Sequence, residues 1–125
     1  MRQRSTLIAL FAAASLMLAA CGGNGNGDDA ADGNGATSIT IIGTEFEFDP
    51  ADVTIAADTP VEIILDNQGV VEHDWTIDEL GVEIYADAGE TVSGTVTAAA
   101  GTYEVYCSIP GHREAGMVGT LTVTG

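Results

Sequence analysis

Positive charge is almost missing from this chain of 125 residues, which carries three arginines against 19 acidic side chains, a net charge of −16. Arg2 and Arg4 sit at the extreme N-terminus; without them Arg113 alone faces the 19 carboxylates, a net of −18. One cation cannot neutralise a row of phosphates, which argues against nucleic acid as a partner. The same shortage disfavours docking on anionic lipid headgroups. Long apolar runs are missing too. The longest, residues 7–20, is 14 residues broken only by Ser15, short of the ~20 that a membrane-spanning helix needs. After that run no window carries a helical stripe, and no internal repeat is present. Cysteine and histidine are down to two each. The length suits one domain of about 100 to 150 residues, and a hydrophobic share of 46% is too high for a solvating acidic tail.

The N-terminal residues read as an export label. A short cationic start, Met1 to Arg4, precedes the apolar run, which ends in Leu18-Ala19-Ala20-Cys21. That ending resembles the bacterial lipobox, which implies acylation of the Cys21 sulfur and anchoring on the outer side of a bacterial membrane. Residues 1–20 are then a signal peptide. Residues 21–36 are the lipidated cysteine and a Gly, Asn, Asp and Ala tether that has too little apolar surface to offset its ordering entropy. Residues 37–125 are the folded body. With Cys21 lipidated, Cys107 is a lone thiol outside the cytoplasm, and burial or a metal is the usual reason for such a thiol to persist.

The body reads as an all-β, Greek-key two-sheet sandwich. Residues 38–43, 53–56, 61–66, 71–77, 91–97, 102–107 and 118–124 are short β-branched runs, some with clear alternation. Asp49-Pro50, Asp58-Thr59-Pro60, Asn67-Gln68-Gly69 and Ala100-Gly101 punctuate them as turns. Residues 77–87 are undecided between an edge strand and a helical turn. Seven or eight strands in about 89 residues imply two packed antiparallel sheets. Phe46, Phe48 and Trp75 are assigned to the core or its border.

One constellation carries chemistry. Cys107, His112 and Met117 follow one another with four residues between each pair, and His73 lies 34 residues before Cys107 at an expected strand end. Alone, each has an ordinary reading: a small buried hydrophobe, two structural or solvated histidines, a core-filling methionine. Together, a soft thiolate, two imidazoles and a weak thioether are the donor set of a mononuclear copper that shuttles one electron. Zinc also accepts one cysteine and two histidines, but a thioether is a poor fourth ligand for it. A binuclear copper centre would need a second cysteine on this loop, and none is there.

The loop resembles that of the cupredoxins, the small blue-copper proteins, with the spacing of their azurin and auracyanin branches; plastocyanins use a shorter gap between Cys and His. The similarity extends from Phe48-Asp49-Pro50 to the terminal strand. It implies one type 1 copper on His73, Cys107 and His112 with Met117 as weak axial ligand, and an electron carrier rather than an enzyme. It further implies that His112 is the electron port, with Pro110, Gly111, Gly116 and Met117 as an apolar docking rim. Where the family commonly has Asn after the first histidine, this chain has Asp74. It is expected to accept from Ser108, to turn its backbone N–H toward the Cys107 sulfur and to lower the potential. The Glu72 carbonyl is expected as a remote contact opposite Met117. The resemblance implies redox proteins as donor and acceptor, and the acidic body suits a basic c-type cytochrome or a membrane oxidoreductase. The chain is expected to act as a monomer. A copper-handling protein that passes on the ion is the alternative.

Overall fold

The computed structural model describes residues 38–125. The expected signal peptide, the expected lipidation at Cys21 and the expected tether lie outside the described residues. Nine strands follow in order: β1 (Ser38–Thr44), β2 (Glu47–Asp49), β3 (Asp52–Ala56), β4 (Val61–Asn67), β5 (His73–Ile77), β6 (Val82–Ala86), β7 (Thr91–Val96), β8 (Gly101–Tyr106) and β9 (Val118–Thr124). A single 3-10 turn, Asp78–Leu80, precedes β6. The undecided stretch therefore holds both a turn and an edge strand. The strand beyond the expected count is β2, whose three residues are too few to show an alternation.

The strands form two sheets, ordered β2-β1-β4-β7 and β3-β9-β8-β5-β6. Both are mixed rather than antiparallel, because β1 runs parallel to β4 and β3 parallel to β9. The path from β1 to β4 passes through β2 in one sheet and β3 in the other. Such a long crossover is what a parallel pair requires.

Period-2 alternation sets the core between the sheets. Along β4 the inward positions are Val61, Ile63, Leu65 and Asn67. Trp75 and Ile77 of β5, Val105 of β8, and Leu121 and Val123 of β9 complete the centre with Ile41 of β1. Burying each such aliphatic chain contributes about 1.5–3 kcal/mol. The inward register of β8, carried past its end, puts Cys107 on the inner face. That of β9, carried back, does the same for Met117, and both are fully buried. Phe48 and Trp75 are core residues, at 4% and 1% exposure. Phe46 is not: it stands in the turn between β1 and β2 and is 39% exposed, since the turn breaks the alternation that would pair it with Phe48. Among the described residues no helix is long and apolar enough to cross a membrane.

Candidate metal centre

Three of the singled-out side chains converge at one end of the sandwich. His73 opens β5, Cys107 follows β8, and His112 lies in the loop between β8 and β9. Because β5 and β8 are neighbours in one sheet, His73 and Cys107 come from the same sheet and do not join the two halves of the sandwich. The loop holds its shape by backbone bonds. Cys107 N donates to Met117 O at 3.1 Å, Met117 N to His112 O at 3.1 Å, and His112 N to Ile109 O at 3.0 Å. Gly111 (φ 85°) and Gly116 (φ 108°) turn through the left-handed region, which side chains disfavour.

The donors face one another. His73 Nδ1 lies 3.2 Å from His112 Nδ1, and Cys107 Sγ lies 4.0 Å and 3.5 Å from those two nitrogens. A point equidistant from the corners of that triangle is about 2.1 Å from each, against the about 2.0–2.3 Å that a d-block ion keeps from imidazole nitrogen and thiolate sulfur. The residues thus fit a metal without rearrangement. Burial holds the His73 imidazole below its ordinary value of 6.5, with Glu45 pulling the other way. Burial raises the Cys107 thiol, opposed by the N–H of Asp74. The lowered imidazole is neutral near pH 7 and offers a lone pair as it stands, whereas the raised thiol sheds its proton to bind an ion, so binding releases that proton into solution.

Asp74 is buried, and local donors meet both of its carboxyl oxygens. Oδ1 accepts from Thr76 Oγ1 at 2.7 Å and from Ser108 N at 2.8 Å, and Oδ2 accepts from Ser108 Oγ. Its backbone N–H donates to Cys107 Sγ at 3.4 Å. The Glu72 side chain is exposed. Pro110, Gly111 and Gly116 are exposed around a half-buried His112, whereas Met117 is fully buried and lies beneath that rim, not in it.

Three contributors escaped the sequence reading. Glu45 Oε1 stands 3.3 Å from His73 Nε2 and accepts from Val70 N at 2.7 Å, and those donors hold its carboxyl below its ordinary value. Phe46 packs edge-on against His112, with ring centroids 4.8 Å apart. Asn67 Nδ2 donates to the carbonyls of Val71, Ala86 and Asp87 at 2.9, 3.0 and 3.1 Å, and its Oδ1 accepts from Gly69 N at 2.9 Å. The available signal was an amide at the inward register of a strand whose other inward positions are all apolar.

A two-sheet sandwich with one thiolate, two imidazoles and a thioether gathered at one end defines a cupredoxin. The chain belongs to that family: the model described as a cupredoxin-like domain matches residues 7–123. Auracyanin-A of Chloroflexus aurantiacus is 32% identical over 157 aligned residues that cover 96% of each chain. The copper-resistant cuproprotein CopI of Rubrivivax gelatinosus is 29% identical over 109, covering 70% of this chain and 66% of its own. The solved structure of auracyanin A, described as a "blue" copper protein, superposes with a TM-score of 0.64 at 30% identity, over 72% of this chain and 100% of the other. The cluster is a single copper site and fits a type 1 copper electron carrier.

Proposed function

We propose that this protein is a lipid-anchored, extracytoplasmic one-electron carrier. His73, Cys107 and His112 would hold one copper, with Met117 as a weak fourth contact. The convergence of the two Nδ1 atoms and Sγ within 4.0 Å carries the reading. When bound, copper in this donor set supplies a one-electron Cu(I)/Cu(II) couple. The protein's part is to keep the donors still and dry. His73, Cys107 and Met117 are fully buried, the loop is pinned by the Cys107–Met117 backbone bond, and Asp74 ties the Ser108 end to β5. The Asp74 N–H aimed at the sulfur offsets thiolate charge. His112, half-exposed among Pro110, Gly111 and Gly116, is the port for electrons. The likeness to the auracyanins supports a carrier rather than an enzyme.

Redox proteins are the partners, and the net charge of −16 favours a basic one such as a c-type cytochrome. CopI's description as a copper-resistant cuproprotein supports a second reading, in which the chain passes on the ion. One experiment separates the two: stopped-flow electron transfer to a basic cytochrome, set against loss of copper to a chelator. A carrier transfers electrons far faster than it loses metal, and its rate falls as ionic strength rises from ~0.01 M to ~0.15 M. Rapid loss of copper with no electron transfer would favour the handling reading.

A further inference from the structure

We propose that Glu45 is a positioning residue of the metal centre: from the turn after β1, its carboxylate grips the outer nitrogen of His73, fixes which nitrogen faces the metal and sets how strongly that nitrogen donates. The inference rests on His73 being a copper ligand. Glu45 Oε1 accepts from Val70 N at 2.7 Å and from Val71 N at 3.3 Å, and lies 3.3 Å from His73 Nε2. The two backbone donors set the oxygen's place without help from the imidazole. A neutral imidazole has one proton; an acceptor at Nε2 draws it there and leaves the Nδ1 lone pair toward Cys107 and His112.

Space has been left for the contact. A Cβ on Gly69 would collide with Glu45 Oε1 and lie 2.9 Å from His73 Nε2, so a side chain at that position would push the pair apart. Glu45 follows a strand of the four-stranded sheet, while His73 opens a strand of the five-stranded one. The grip therefore spans the two sheets at the site, which the ligands themselves do not. A negative acceptor makes the imidazole a stronger donor and favours the more highly charged ion. Glu45 thus lowers the reduction potential relative to a neutral acceptor.

The test compares wild type with Glu45→Gln, Glu45→Ala and Gly69→Ala. Glu45→Gln keeps the intense thiolate-to-copper band and shifts the potential upward. Glu45→Ala and Gly69→Ala shift it the same way, and Glu45→Ala lowers Cu(II) affinity about tenfold. In the metal-free protein, long-range proton–nitrogen correlation spectra place the His73 proton on Nε2 in wild type and show mixed tautomers in Glu45→Ala. An unchanged potential in Glu45→Gln, or an unchanged tautomer in Glu45→Ala, would overturn the proposal. A wild-type protein without the band would count against the copper reading, and the metal-free tautomers would still decide whether Glu45 sets His73.

Discussion

Asn67 occupies the last inward position of β4, in register with Val61, Ile63 and Leu65. Its amide replaces the water that the carbonyls of Val71, Ala86 and Asp87 would otherwise need, and it joins the four-stranded sheet to β6 of the other. Leucine has nearly the same volume but no polar atom, so Asn67→Leu strips three acceptors and the Gly69 N–H of their partner. The expected cost is about 2–4 kcal/mol, read as a lower urea midpoint with an unchanged slope. A midpoint equal to wild type would show that water fills the gap. At this scale chemistry decides what a sequence reveals. Two histidines, one thiol beyond Cys21 and a spaced methionine stand out because such side chains are scarce here. Glu45 does not, because it is one of 19 acidic residues and its partner is set by a turn rather than by a local pattern. Phe46 misleads for the same reason: alternation groups it with Phe48, and the turn at Glu45 and Phe46 turns it toward His112 instead.

Elements explain why the centre lies where it does. The inward faces of β8 and β9 continue one residue beyond the paired strands, so Cys107 and Met117 arrive side by side, joined by a backbone bond. The loop between them then needs only to return His112 to the same spot, which the backbone reversals at Gly111 and Gly116 permit. His73 enters from the adjacent β5, whose five residues are all buried. Strand positions were legible because β-branched alternation is a local property. Strand direction was not, because alternation assigns faces and says nothing about neighbours. The parallel pairing of β1 with β4 and of β3 with β9 is fixed by the whole chain path, and β2 is too short to leave a pattern.

The whole molecule presents a surface dominated by carboxylates. Its one cation among the described residues, Arg113, is engaged: the guanidinium lies 4.4 Å from the Tyr106 ring centroid and pairs with Glu104. Among the described residues nothing holds anionic lipid by charge, so in the lipid-anchored carrier proposed above membrane attachment would fall to an acyl chain on Cys21. Cys21→Ser is therefore expected to move the protein from the membrane to the soluble fraction with its copper spectrum intact; retention on the membrane would contradict the anchor. Electron carriage by this protein depends on the thiolate and the two imidazoles sharing one ion. The most direct measurement is the visible absorption and electron paramagnetic resonance of residues 22–125 loaded with Cu(II). An intense thiolate-to-copper band with a narrow copper hyperfine splitting is the predicted result, lost on Cys107→Ser. A pale protein with ordinary Cu(II) parameters would mean that Cys107 is not a ligand, and would contradict the electron-carrier reading.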